Sequence, residues 1–411
     1  MPLYKHQVSA IQAIRLAWKE YRRVLAVLPT GAGKGTIAAQ MMATAQKQNQ
    51  RSLFIVHRTA IVDDIANRLR TNFGMSVGVI MPGQPRFDSA PVQVATVQSL
   101  LVAKRWPRAD LLVLDEAPHY TADEWSRVAD HYECALILGL TATPNRADGH
   151  GMGDVFDYLI IGAQYSELLK SGHIVPCEVF RPEEPLGINL AMSSVEAYQK
   201  LAVGPTIIYE RTVKDAKRTL RDLKKLGVAA DIVTHQTSCA QQKEILKRFR
   251  EGRDLDVLVN VYVLTEGIDL PATTTIILGR PCEHASTYVQ IVGRALRPSP
   301  GKRAARLIDL CGASYIHGLP TDDREYVLTS SRGREGEERS PAGGGKVRSG
   351  KVLGIPLTVV NPEVPSPRAA DRQLLYWDRE RYAVQQGRKS LRAARSAFKY
   401  EFGIEAPRSV G

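Results

Sequence analysis

The stretch Val24-Leu-Ala-Val-Leu28, running straight into Pro29-Thr30-Gly31-Ala32-Gly33-Lys34-Gly35-Thr36 and then into a helical pattern, decides the fold of this chain. A short apolar run bounded by a turn signal reads as a buried strand. The glycines after it let backbone N–H groups close on an anion at a helix N-terminus, and the lysine reaches along a polyphosphate. The layout is that of a phosphate-binding loop, and the expected ligand is the phosphate tail of a nucleoside triphosphate. Its cradle is Thr30, Gly31, Ala32, Gly33, Lys34, Gly35 and Thr36. One position is unusual: Gly35 stands where a Ser or Thr ligand to Mg²⁺ belongs, and the hydroxyl comes one residue later, at Thr36. The competing reading, a glycine-rich turn with a chance lysine, leaves the strand before it and the helix after it without a reason.

Working outward, further apolar runs occur at Leu53–Val56, Val92–Ala95, Leu111–Leu114 and Ala135–Leu138. Each is followed at once by polar or turn residues: His57-Arg58, Thr96-Val-Gln98, Asp115-Glu116 and, after Leu138, Thr141-Ala-Thr143-Pro144. Strands alternating with helical patterns predict an α/β fold with a parallel sheet, whose ligands bind beyond the carboxyl ends of the strands. Gly149 to Gly153 reads as a loop, and residues 171–200, rich in Pro and turn signals, as a linker. A second alternating series follows at Thr206–Tyr209, Ile232–Thr234, Val257–Val263, Thr275–Leu278 and Arg306–Leu310, with an amphipathic helix over Val213–Leu226. The expected organisation is a first domain over 1–170, a linker over 171–200, a second domain over 201–328 and a basic tail over 329–411.

Composition bounds the partners. Hydrophobic residues make up 44% and charged residues 24% of the 411, which excludes a wholly disordered chain. No apolar run is long enough to span a membrane, and the N-terminus lacks a signal-peptide core, so a cytoplasmic protein is expected. The five cysteines form no C-x-x-C pair, which argues against a zinc site and for a reducing compartment. The formal charge is +12, as a polyanion-binding protein would carry. Residues 331–411 hold 16 Lys and Arg against 9 Asp and Glu, so the tail carries more than half of that excess. Behind a polar linker it ends in a helical pattern bearing Trp377 and Phe398, which read either as a small helical core or as surfaces on which bases stack.

Two constellations carry chemistry. Asp115-Glu116 at a strand end reads either as an acidic helix cap or, beside a phosphate loop, as a metal-binding carboxylate followed by a general base. Gln290-Ile-Val-Gly-Arg294-Ala-Leu-Arg297 places two arginines three apart. On one helix face they are a basic solvated stripe, or a pair of fingers reaching across a cleft to a γ-phosphate.

In order along residues 3 to about 328, these segments resemble the motifs of superfamily 2 helicases of the DEAD/DEAH-box-like kind, close to RadD-type and phage-encoded members. Leu3-Tyr-Lys-His-Gln7 resembles the glutamine motif, Pro29–Thr36 motif I, His57-Arg58 motif Ia and Thr96-Val-Gln98 motif Ib. Asp115-Glu-Ala-Pro118 resembles motif II, and Gly139-Leu-Thr-Ala-Thr-Pro144 motif III. Tyr209 opens the counterpart of motif IV, Asn260–Pro271 that of motif V and Gln290–Arg297 that of motif VI. The resemblance implies two tandem RecA-like domains with parallel sheets and a small, basic, mostly helical C-terminal tail. It implies ATP and Mg²⁺ as cofactors, with Lys34, Asp115, Glu116, Gln290, Arg294 and Arg297 catalytic and Asp115 and Thr36 at the metal. Gln7, Gly267 and Asp269 would join the loop in holding the nucleotide, and Thr141 and Thr143 would couple hydrolysis to movement. His57, Arg58, Thr96, Gln98, Thr234 and Thr265 would touch nucleic acid, DNA by preference, in a monomeric helicase or translocase. Gly35 and Pro118, the latter in place of a histidine, depart from the pattern and keep open an ATP-gated clamp that hydrolyses weakly or not at all. The string Gly-Lys-Gly-Thr also resembles adenylate kinases, a reading that the second domain with its two arginines opposes.

Overall fold

The computed structural model describes residues 3–57, 59, 62–119, 122–144, 151–252, 254–261, 270–328 and 351–360. Two seven-stranded sheets follow one another along the chain. The first contains β1 (Arg23–Val27), β2 (Ser52–Val56), β3 (Val77–Ile80), β4 (Val92–Thr96), β5 (Leu111–Asp115), β6 (Leu136–Thr141) and β7 (Tyr158–Ile161). The second contains β8 (Cys177–Arg181), β9 (Thr206–Glu210), β10 (Ala230–Val233), β11 (Val257–Asn260), β12 (Thr275–Gly279), β13 (Ala305–Asp309) and β14 (Thr358–Val360). The strand orders are β3-β4-β2-β5-β6-β1-β7 and β10-β11-β9-β12-β13-β8-β14. The second is therefore the first repeated strand for strand. Every pair is parallel except β14, which runs antiparallel to β8.

Parallel sheets need cover on both faces, and the helices supply it. In the first half α1 (Lys5–Ala17), α2 (Lys34–Lys47) and α3 (Val62–Phe73) pack on one face, and α4 (Val97–Leu101) and α5 (Ala122–His131) on the other. A short α6 (Tyr165–Lys170) leads into the second half. There α7 (Ser194–Leu201) and α8 (Val213–Lys225) cover one face, and α9 (Cys239–Glu251), α10 (Ala285–Val292) and α11 (Ala313–His317) the other. α1 buries Ala10, Ile11, Ile14 and Ala17, the three-and-four spacing of one helical stripe. α9 starts on a Ser238/Gln241 capping box and stops at Gly252 in the left-handed region, both legible in sequence. The faces bearing α1–α3 and α9–α11 share one continuous apolar core, which holds the two halves together.

Two expectations change here. Residues 171–200, read as a linker, contain β8 and most of α7, and β8 is the second sheet's counterpart of β1. Pro176 and Pro182 bracket so short a strand that the prolines dominated the reading. Glu178 also hid it, because a carboxylate in a central strand needs a partner. That partner is Arg306, directly opposite on β13. Arg306 Nε donates to Glu178 Oε2 at 2.9 Å, Nη2 donates to the same oxygen, and Nη1 donates to the Leu201 carbonyl. Both side chains are buried. Glu178→Ala leaves a buried guanidinium without its carboxylate, and should cost about 3–5 kcal/mol of stability, read as a lowered denaturant midpoint.

The second change concerns the tail. Residues 351–360 pair with the second half: Leu190 N–H donates to the Lys351 carbonyl at 2.9 Å, Ile355 N–H to the Ala191 carbonyl at 2.8 Å, and β14 extends the sheet. This segment is an edge of the sheet and not part of a free tail. The expected polar linker and the helical end with Trp377 and Phe398 lie outside the described residues. Before them the chain returns from the second half to the first. Asp323 accepts from the Ser166 N–H (2.8 Å) and hydroxyl (2.6 Å), Gln164 and Arg324 exchange two bonds, and Leu328 accepts from Gly153. Along this strap the Tyr326 hydroxyl donates to the Ala142 carbonyl at 3.3 Å.

Candidate nucleotide site between the two halves

The loop after β1 is built as its sequence demands. Gly31 (φ 95°) and Gly33 (φ 84°) occupy the left-handed region, where a side chain is strained. Gly33 has no alternative in any case, since a Cβ there would lie 2.2 Å from Gln7 Nε2. Gln7 is buried beneath the loop. Its Oε1 accepts from the Tyr4 N–H at 3.0 Å and its Nε2 donates to the Ala32 carbonyl at 3.2 Å. His6 Nε2 also reaches the Ala32 carbonyl, at 2.9 Å, and because a carbonyl only accepts, that nitrogen carries the proton. Thr36 lies in the first turn of α2, its N–H bonded to the Gly33 carbonyl.

Three side chains meet at this loop: Lys34 from the start of α2, Glu116 just after β5 and Thr141 at the end of β6. Lys34 Nζ lies 3.4 Å from the Leu28 carbonyl and 3.9 Å from Glu116 Oε1, loose partners for an ammonium. The Thr141 hydroxyl accepts from the Thr143 N–H and lies 3.2 Å from Glu116 Oε2 and 2.8 Å from the Thr143 carbonyl. Its single proton can serve only one of the last two at a time. Glu116 itself has φ 50°, a left-handed conformation rare for a residue with a side chain. Strain of this kind persists where the surroundings over-determine it. Here it turns the carboxylate back towards Lys34. Asp115, at the end of β5, has its carboxyl pushed up to about 6 by burial and then by the neighbouring Glu116 charge; Lys34 and His57 pull the other way.

The second half closes on the same loop. Gly293 packs so tightly that a Cβ there would lie 2.6 Å from Thr30 Cβ, and a methyl on Gly31 would lie 3.6 Å from Arg297 Cγ. Within the second half the Val175 N–H, at the entry to β8, donates to the Leu296 carbonyl at 2.8 Å. The expectation that Arg294 and Arg297 share a helix face gives way to a different geometry. α10 ends at Val292 and both arginines sit in the turns after it, where the Arg294 and Ala295 N–H groups bond three residues back instead of four. A solvated stripe does not describe Arg294, which is 4% exposed and hydrogen-bonds the Tyr209 hydroxyl. Arg297 is half-buried beside the loop, and Gln290 is buried on α10.

The residues expected at nucleic acid are less uniform. Thr96 is buried, and its hydroxyl caps α4, accepting from the Ser99 N–H at 3.1 Å and donating to the Ser99 hydroxyl at 2.8 Å. The sequence signal for this cap was the Thr-x-x-Ser pattern. Thr234 is likewise buried, accepting from the Gln236 N–H in a turn after β10. Gln98 is exposed, 3.1 Å from Glu124. His57 lies close enough to Asp115 to lower its pKa, which places it beside the nucleotide site. Arg58, Thr265, Gly267 and Asp269 lie outside the described residues. The sequence reading passed over His6, His173, whose ring is 4.0 Å from that of Tyr4, and Arg68, which stands beside Gly35. Only His6, next to Gln7, had a local signal.

These residues fit ATP with Mg²⁺. The glycine cradle, the loosely held ammonium and the paired carboxylates suit a polyphosphate and its cation. Among the described residues no group of three His, Cys, Asp or Glu could hold a metal ion alone.

Residues 1–146 match the family described as "Type III restriction enzyme, res subunit", and residues 191–299 the "Helicase conserved C-terminal domain". The chain belongs to superfamily 2, the ATP-hydrolysing helicases and translocases. It is 26% identical over 319 residues to a 51.5 kDa protein of a Lactococcus phage, covering 72% of this chain and 68% of that one. It is 26% identical over 379 residues to the putative mitochondrial ATP-dependent helicase irc3 of Schizosaccharomyces pombe, covering 81% of this chain and 62% of that one. The DNA 3'-5' translocase XPB2 of Sulfurisphaera tokodaii is 22% identical, covering 72% and 78%. Among solved structures, a fragment of a putative HsdR subunit of a type I restriction enzyme from Vibrio vulnificus superposes with a TM-score of 0.62 at 22% identity, covering 78% and 67%. The chain thus spans somewhat under two thirds of the irc3 helicase. No described helix is long and apolar enough to cross a membrane.

Proposed function

We propose that this chain is an ATP-driven motor acting on DNA, with hydrolysis in the cleft between two units, residues 1–170 and 171–328. The carrying observation is the meeting of Lys34, at the start of α2, with Glu116 and Thr141, at the ends of two strands, and with Arg297 of the other half beside Gly31. The backbone of Gly31–Thr36 takes the phosphates, and Lys34 leaves Glu116 and the Leu28 carbonyl for their oxygens. Glu116 then orients and deprotonates the attacking water, while Arg294 and Arg297 offset charge on the transferring phosphoryl group. Asp115 and Thr36 are the residues to hold Mg²⁺, which supplies charge neutralisation at the phosphates. The Thr141 hydroxyl, shared between Glu116 and the Thr143 carbonyl, passes the state of the carboxylate into the following turn. DNA is preferred to RNA because the relative from Sulfurisphaera tokodaii is named a DNA translocase. Phosphate release measured with single-stranded, duplex and forked DNA and the matching RNAs tests this; stimulation by RNA alone refutes the DNA assignment.

A second reading, an ATP-gated clamp, draws on Gly35 and Pro118. A Cβ at position 35 would meet only Arg68 Nη1, at 3.7 Å, so Gly35→Thr has room for its first carbon. A hydroxyl there adds a metal ligand. Gly35→Thr should lower the Mg²⁺ concentration that half-saturates phosphate release, read in a Mg²⁺ titration at fixed ATP. An unchanged titration removes position 35 from the metal account.

A further inference from the structure

Lys302 follows the tight turn Pro298-Ser-Pro-Gly301, which Gly301 completes in the left-handed region at φ 77°. Its ammonium has three protons and meets three main-chain carbonyls: Arg297 at 2.8 Å, Thr273 at 2.6 Å and Pro271 at 3.3 Å. The side chain is largely out of water, and burial pulls its pKa down to about 7, with Arg297 adding to the fall and Cys177 opposing it. A buried ammonium is costly unless its donors are used, and here each proton has an acceptor. The acceptors come from two segments far apart in sequence. Pro271 and Thr273 end the stretch that runs from β11 to β12, and Arg297 ends the turns that follow α10.

We propose that Lys302 is a positioning residue for ATP hydrolysis, tying the main chain of Arg297 to the Pro271–Thr273 turn and so fixing how far the Arg297 guanidinium reaches over the nucleotide loop. The inference rests on Arg297 acting at the phosphoryl group. The Arg297 side chain already passes beside Gly31, so its Cα position decides where the guanidinium ends. The turns carrying Arg297 lie beyond the end of α10 and lack the continuous ladder of a helix. Ties from outside hold them: the Val175 N–H on the Leu296 carbonyl and, at Arg297 itself, the Lys302 ammonium. Cutting the Lys302 tie leaves three carbonyls short of a donor and lets the finger drift, and displacements of about 1 Å at such a site cost on the order of 10²-fold in rate.

The test is a double-mutant cycle on the full chain, reading kcat and KM for ATP by phosphate release with saturating DNA. K302M should lower kcat about 10- to 100-fold, the range for residues that orient a reacting group through another, while KM moves little. R297A removes the finger itself. In the R297A background K302M should change kcat hardly at all, because a residue acting through Arg297 has nothing left to position. If K302M does not fold, K302Q, which keeps two amide donors, carries the same cycle. A K302M loss that adds in full to that of R297A, or a normal kcat for K302M beside a crippled R297A, overturns the proposal. A normal kcat for R297A overturns instead the assignment of Arg297, and so separates the two failures.

Discussion

Glu116→Gln should lower kcat for ATP hydrolysis by about 10²–10⁴-fold, the contribution of a positioned general base, while leaving ATP affinity intact. The change keeps the shape of the side chain and an oxygen for the Thr141 hydroxyl, now 3.2 Å away, so the link to the Thr141–Thr143 turn survives. The strained backbone at φ 50° is equally open to Gln. What is lost is the negative charge. Lys34 loses a competing partner at 3.9 Å, which favours phosphate binding if it changes it at all. Asp115 loses the second cause of its raised pKa, so its carboxyl titrates lower. Fluorescent-nucleotide binding beside phosphate release separates the outcomes. A joint loss of affinity and rate would show that Glu116 shapes the loop and is not the base.

Arg297→Ala should have the largest effect on rate. Arginine fingers are worth about 10³–10⁵ in kcat, although Arg294 shares the neighbourhood and some of that contribution. Arg294 is fixed in the second half by Tyr209 and by burial, whereas Arg297 lies against Gly31 and is the one poised over the loop. Loss confined to kcat marks an interaction made only in the transition state; equal losses in binding and rate mark ground-state recognition. The expected result is the first.

Much of this was readable before any coordinates. The loop was legible because its glycines and lysine keep a fixed spacing and because a strand and a helix must flank it. The pairing of β5 with the Asp115-Glu116 end followed from the same rule about strand ends. The positive φ at Glu116 was not readable, since nothing in Asp-Glu-Ala-Pro announces a left-handed glutamate. β8 was missed because its charged Glu178 makes sense only beside Arg306, on a strand far along the chain. The two arginines were set on a helix because i and i+3 suggest one; that α10 stops at Val292 and that Gly293 packs on Thr30 are tertiary facts. At Thr96 the local Thr-x-x-Ser pattern specified a helix cap, which the sequence reading passed over. The returning strap through Asp323 and Tyr326, and the tie made by Lys302, join residues with no shared periodicity and leave no sequence signal.

Nucleic-acid-stimulated phosphate release by the unaltered full chain, at saturating ATP and Mg²⁺, tests the central claim most directly. A motor of the kind described here hydrolyses ATP slowly alone and several-fold faster with DNA, in a manner weakened by salt because the contacts are to phosphates. Tight ATP and DNA binding with no release of phosphate, stimulated or not, would contradict it and leave the chain a nucleotide-gated clamp.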